Sequence, residues 1–337
     1  MGGLRASILS HIGLNKIMKL AIKVATGVHI EETFFFNITK FSTGAALLKK
    51  VVSHPKLGIY GAEWLGLEYL DAKSTSRLWL RSNKRVIKHR INTCSPMSLS
   101  VLYFPLDVSK SSLFCNRTMI IFYRCICDLI LNETIITPMP RMEREDEIVF
   151  RLAALSLQIK HGNWNRTLEG PETSSSSDYL FQYRNLLPER FYRDYTLEWK
   201  TKLFEYHKTY VRMEQKKAIV EYIKLAQSLP MYGVHYFKVV RRLKPTGKEA
   251  QFLGIHAGGI NIYLIADKRN PIARLPWSEI VVCSYKKSKR LKCHFIVHHF
   301  SEKMVFVVAS KRLSKLMRMV AGVNKSSYLP WFILTKF

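Results

Sequence analysis

At Pro230 the hydrophobic period of this chain changes, and that change limits what it can fold into. Downstream the sequence breaks into seven short stretches with strand-like alternation: VHYFKVV, AQFLGIH, INIYLIA, ARLPW, EIVVCSY, LKCHFIVHH and MVFVVA. Turn residues such as Gly258-Gly259 separate them, so the pattern is that of consecutive β-strands. One amphipathic helix follows at 310–322. Leu313, Leu316, Met317 and Val320 fall within a narrow arc, while Lys311, Arg312, Lys315 and Arg318 face away. A β-sandwich or barrel closed by a single C-terminal helix is expected.

Upstream, residues 106–228 carry helical periods. In EDEIVFRLAALSLQIKHG, Ile148, Leu152, Leu155 and Ile159 form one apolar stripe. Acids open that segment and Lys160 and His161 close it, as the helix dipole favours. A second helix over 211–228 aligns Ile219, Tyr222, Ala226 and Leu229 and stops before Pro230. GPETSSSS (170–177) reads as a flexible loop. Residues 20–105 mix the two periods. Thr43 is positioned to cap the helical AALLKKVV, Pro55 closes that segment, and WLGLEYL and SLSVLYF read as strands. The economical arrangement is a ubiquitin-like roll.

Charge bears on partners rather than on fold. The 337 residues contain 53 Lys and Arg against 25 Asp and Glu, a formal charge of +28. The excess is uneven. Residues 1–105 hold 15 basic and 5 acidic residues, residues 106–228 hold 18 and 16, and residues 229–337 hold 20 and 4. No apolar run reaches the roughly 20 residues that cross a bilayer, and Ser10, His11 and Asn15 interrupt any leader-like stretch. The six cysteines (94, 115, 125, 127, 283, 293) form no CxxC and read as reduced thiols. A cytoplasmic location is expected, and the five Asn-x-Ser/Thr sequons are read as coincidental.

Three ordered segments, LPMYGVHYFKV (229–239), FLGIHAGGINIY (252–263) and LPWSEIVVCSY (275–285), resemble the opening strands of the third lobe of a FERM module. That module is the three-lobed unit of band 4.1, ezrin, radixin and moesin, of talin and of some tyrosine phosphatases. STGAALLKKVV and WLGLEYLD resemble its first lobe. LILNETI (129–135), RLAALSLQIKHGNW (151–164) and the Trp199-to-His207 stretch resemble its second. The resemblance spans about 20 to 325. It departs at CNRTMIIFYRCICDLI (115–130), which stands where the family carries a polar run, and at the tail SYLPWFILTKF.

The resemblance implies an α+β multi-lobe chain: a ubiquitin-like first lobe (20–105), an α-helical, acyl-CoA-binding-protein-like second lobe (106–228), a pleckstrin-homology/phosphotyrosine-binding-like third lobe (229–325) and an atypical tail (326–337). It also implies a non-catalytic adaptor, peripheral at the inner plasma membrane and cortical cytoskeleton. In the family the two outer lobes flank a cleft that meets anionic phospholipid, and these are the two basic lobes here. By resemblance the lipid candidates are Arg81, Lys84 and Arg85 after the Trp-Leu of the first lobe, and Lys286, Lys287, Lys289 and Arg290 in a basic hairpin of the third. Phosphoinositide headgroups favour such convergent cations. A solvated basic turn is the competing reading of either run, and KVVRRLKPTGK (238–248) reads as a hairpin turn. A peptide groove is expected between Met304, Phe306 and Val308 on one side and Leu313, Leu316 and Met317 on the other. It would take membrane-protein tails or scaffold peptides by strand addition. With no recognisable actin-binding segment in these 337 residues, any actin link would be indirect or carried by a tail outside this sequence.

Catalytic constellations do not emerge. HCxxGxxR, GxxxxGK[ST], GxGxxG and HExxH are absent from the sequence. Cys293-His294 and His298-His299 alternate along a strand rather than converge on a metal. No cofactor is expected. Two alternatives remain: the targeting half of a phosphatase-type enzyme, and a nucleic-acid module. The latter rests on charge alone, since the basic runs lack interleaved aromatics.

Overall fold

A computed structural model of the chain describes residues 17–336 except 75, 93, 106–115, 137–142, 164–184, 193–196, 244–246, 288–291 and 327–333. The N-terminal stretch, the GPETSSSS loop, the turn of the 238–248 run, Lys289, Arg290 and most of the tail lie outside those residues.

The first lobe is a five-stranded sheet ordered β2-β1-β5-β3-β4, from β1 (Met18–Ala25), β2 (Glu31–Ile38), β3 (Leu65–Leu70), β4 (Arg77–Trp79) and β5 (Met97–Val101). Helix α1 (Gly44–Val52) begins where expected, with Thr43 Oγ1 accepting from the Ala46 N–H at 3.2 Å. Leu47 and Val51, one turn apart, lie on its fully buried face.

The second lobe contains α2 (Asn116–Leu131), α3 (Glu143–His161), α4 (Glu189–Tyr192), α5 (Leu197–Thr209) and α6 (Gln215–Ala226). The expected 211–228 helix starts later because Arg212 adopts φ +68° within a turn. Helix α2 is built from the segment that departs from the family pattern. It is buried around a wide arc, through Met119, Ile121, Phe122, Tyr123, Ile126 and Ile130, because it packs between the first sheet and α6. Its opening turn also grips first-lobe loops. Arg117 donates to the carbonyls of Leu57 and Thr26, and Thr118 Oγ1 donates to Tyr60 O at 2.6 Å. The first two lobes therefore share one continuous core.

The third lobe comprises β6 (His235–Leu243), β7 (Gly247–His256), β8 (Gly259–Leu264), β9 (Ala273–Pro276), β10 (Ile280–Lys287), β11 (Lys292–His299) and β12 (Lys303–Ala309), followed by α7 (Ser310–Ser326). A short β13 (Leu334–Lys336) completes an eight-stranded sheet ordered β13-β10-β11-β12-β6-β7-β8-β9. Its core is separate, and among the described residues Leu102 and Tyr103 of the first lobe pack against it as partly buried hydrophobics. Helix α7 continues past Gly322, where a Cβ would overlap the Tyr103 hydroxyl. Packing under that ring outweighs glycine's weak helix propensity. His235 Nε2 donates to Leu102 O at 3.1 Å and fastens the lobes further.

Candidate functional site

Two segments build the site, and the start of α1 fixes the first. The leading N–H groups of a helix lack partners within it. Here the Gly44 N–H donates to Lys84 O at 3.0 Å and the Ala45 N–H to Ser82 O at 2.9 Å. Gly44 is required because a Cβ there would overlap Arg81 O. The motif STG thus clamps the basic loop 81–85 to the helix end. The second segment is the outward face of α7, with Lys315 and Arg318.

Tyr103 and the His235–Leu102 bond bring the segments together. The cleft between them, of about 260 Å³, is lined by Arg77, Arg81, Lys315 and Arg318, with Tyr69, Trp79, Tyr103 and Met319 among the other walls. No carboxylate occurs among the described residues lining it. Burial first, then the charge of Arg81, holds Arg318 below its ordinary guanidinium value. Like charges from two lobes face one another there, an arrangement that an anion relieves.

His89 reports the same field. It is buried, its Nδ1 lies 3.2 Å from Tyr69 Oη, and its Nε2 has no hydrogen-bond partner among the described residues. Its pKa is pushed down to about 4 by burial and then by Lys84, Arg81 and Arg318. The folded His89 therefore stays neutral where an unfolded one, near 6.5, takes up a proton. Stability contributed by this group is present above about pH 6.5 and is lost as pH falls towards 4. Proton-detected titration of His89 should give a midpoint near the depressed value, and Arg81→Glu should move it towards 6.5. An unchanged midpoint in that variant would detach His89 from the cleft.

Only part of the expected site assembles. Arg81 lines the cleft, Lys84 does not line it but its charge helps to depress the His89 pKa, and the Arg85 guanidinium lies over the Phe41 ring, 5.1 Å from its centroid. Lys286 does not line it. That residue is the cross-strand partner of His294, which its charge and that of Arg242 affect after burial. Lys287 continues the same strand, and Lys289 and Arg290 lie outside the described residues. Arg77, Lys315 and Arg318 were not singled out as site residues. The spacing of 315 and 318 on the polar side of a helix was visible, but not what lies opposite.

The peptide groove needs correction. Met304, Phe306, Val308, Leu313 and Leu316 are all buried in the third-lobe core, and Met317 is half-buried against it. Strand β12 cannot accept another strand, since β11 and β6 already flank it. The sheet ends instead at β13 and β9, and β13 covers the outer side of β10. There Leu334–Lys336 lie parallel, with Cys283 opposite Leu334 and Tyr285 opposite Lys336. Alternating apolar residues on a sheet and an apolar helix stripe seal each other, so neither offers a groove floor.

Two of the described cysteines are held in the thiol form. Burial pushes the Cys125 thiol up to about 11 and Cys283 up to about 12, away from the thiolate a nucleophile needs. Among the described residues no group of three or more His, Cys, Asp or Glu could hold a metal, and no helix is long and apolar enough to cross a membrane.

A mixed roll, a helical bundle and a curved sheet closed by one helix, with a cationic cleft between the outer two, make up a three-lobed α+β unit. Residues 109–237 match the FERM central domain and residues 246–328 the FERM C-terminal PH-like domain; the chain belongs to the FERM superfamily. It is 29% identical over 302 residues to moesin/ezrin/radixin homolog 1 of Culex quinquefasciatus, covering 87% of this chain and 48% of that protein. The chain thus spans about half the length of that relative. Its fold matches the FERM and C-terminal domain complex of Drosophila Merlin with a TM-score of 0.69 at 22% identity, over 91% of this chain and 95% of the other. It also matches the myosin VII MyTH4-FERM MF2 domain of Dictyostelium discoideum (a mutant form) with a TM-score of 0.64 at 13% identity, over 96% of this chain and 64% of that one.

Proposed function

We propose that the protein is a non-catalytic adaptor that docks on anionic phospholipid at the inner face of the plasma membrane. In this reading it binds membrane-protein tails or scaffold peptides through its third lobe and so joins the membrane to the cortical cytoskeleton. The observation that carries the lipid half is the convergence of Arg77, Arg81, Lys315 and Arg318 on one cleft with no carboxylate among its described lining residues. A phosphoinositide headgroup, with several phosphates in a small volume, matches a set of convergent guanidinium and ammonium donors. Arg77 already donates to Glu68 Oε2 at 3.2 Å, so Arg81, Lys315 and Arg318 carry most of the attraction, at about 1 kcal/mol for each cation at an anionic leaflet. The peptide half is supported by β10, against which the chain's own residues 334–336 lie as an added parallel strand, the place and geometry that a peptide would take over from them.

Vesicle co-sedimentation tests the lipid half. Binding to phosphatidylcholine vesicles should rise when phosphatidylinositol bisphosphate is included and fall steeply with added salt. Equal sedimentation with and without the phosphoinositide would remove the headgroup from this cleft.

A further inference from the structure

The face of the first lobe beside the basic loop carries two exposed apolar side chains that no interior contact explains. Phe41 is 55% exposed and Ile87 is 44% exposed. They emerge from adjoining segments. An antiparallel bridge joins Thr43 to Arg85 and the Val86 N–H donates to Ser42 O at 2.8 Å, which holds the two segments together one residue from each side chain. Cations surround this pair. Lys40 Nζ lies 5.2 Å and the Arg85 guanidinium 5.1 Å from the Phe41 ring centroid, while Lys84 and Lys88 flank Ile87 in sequence. No acidic residue occurs from 33 to 62 or from 72 to 106.

We infer that Phe41 and Ile87 form an apolar wedge that enters the headgroup and upper acyl region of an anionic bilayer while Lys40, Lys84, Arg85 and Lys88 meet its phosphates. This rests on the lipid-docking reading and extends it from charge attraction to insertion. The charge pattern selects the occupant. An acidic protein could satisfy the cations, but a bilayer also removes both apolar tips from water without a shaped pocket, and cations stacked on the ring can stay at headgroup level as it descends. Interfacial aromatic side chains favour that depth. The wedge adjoins Arg81 through the loop clamped by Gly44, so cleft and wedge can face one membrane.

The test uses the full chain and vesicles of phosphatidylcholine with phosphatidylserine and phosphatidylinositol bisphosphate. The double variant Phe41→Ser/Ile87→Ser should partition about tenfold more weakly. Its residual binding should be more salt-sensitive than that of wild type, and its melting temperature, read in parallel, should be unchanged because both sites are exposed. In Phe41→Trp, brominated lipid should quench fluorescence beyond the wild-type level. Wild type that binds, with no excess quenching in Phe41→Trp and no loss in the double variant, would overturn the wedge and leave cleft docking standing. Wild type that fails to bind these vesicles would overturn both readings.

Discussion

Reversing Arg81 and Arg318 to Glu together is expected to weaken binding to phosphoinositide vesicles by at least about a hundredfold, with the fold intact. Each cation near an anionic surface contributes about 1 kcal/mol, and reversal both removes that attraction and adds repulsion of similar size. Two reversals therefore amount to as much as about 4 kcal/mol, some of which the remaining Arg77 and Lys315 offset by reorienting. The residues come from different lobes, so the effect should exceed that of reversing two cations within one run. Reversing Lys286 and Lys287 is the comparison, since Lys286 does not line the cleft and neighbours His294 and Arg242. If both double variants lose affinity alike, the cleft has no special place and general charge carries the binding. Neither reversed site in the cleft pair bears core packing, so circular dichroism should be unchanged.

Phe122→Ala is expected to destabilise the first and second lobes by about 3–5 kcal/mol, the range for an aromatic ring lost from a close-packed core. Phe122 is fully buried, with Trp64 edge-on at 6.3 Å and Phe104 at 6.1 Å between ring centroids. Phe104 passes the packing on to Tyr232 at 5.1 Å. The ring thus sits where the roll, the helical bundle and the chain leading into the third lobe meet. Calorimetry should show the first two lobes melting together at a lower temperature, since they share one core, while the separate third-lobe core holds a transition closer to its original position. A loss below about 1 kcal/mol, or a fall confined to the helical lobe, would contradict a shared core.

Much of the architecture was legible locally. Thr43 marked the start of α1, and the alternation after Pro230 placed seven strands and a closing helix, because capping and side-chain period are written within a few residues. Arg81, which the resemblance singles out after the Trp-Leu pair, lies in the wall of the cleft. The groove residues were misplaced for a physical reason: an apolar stripe on α7 has the same sequence whether it floors a groove or fills a core. Met304 and Leu316 became core because sheet and helix close directly on one another. Likewise Lys315 and Arg318 have the same sequence pattern whether the polar face of α7 meets water or another lobe, and here the first lobe covers part of it.

The sequence by itself determined that this chain has three lobes of distinct period, that its excess charge lies in the outer two, and that it resembles one superfamily. Only the tertiary structure decided which charges meet. Arg81 and Arg318 are separated by more than two hundred residues, and nothing local in either segment encodes the other. Their encounter depends on Tyr103 lying over Gly322 and on His235 reaching Leu102. Hydrogen-bond period and capping act over a few residues, whereas an electrostatic site is a property of distance in space, which packing between lobes sets.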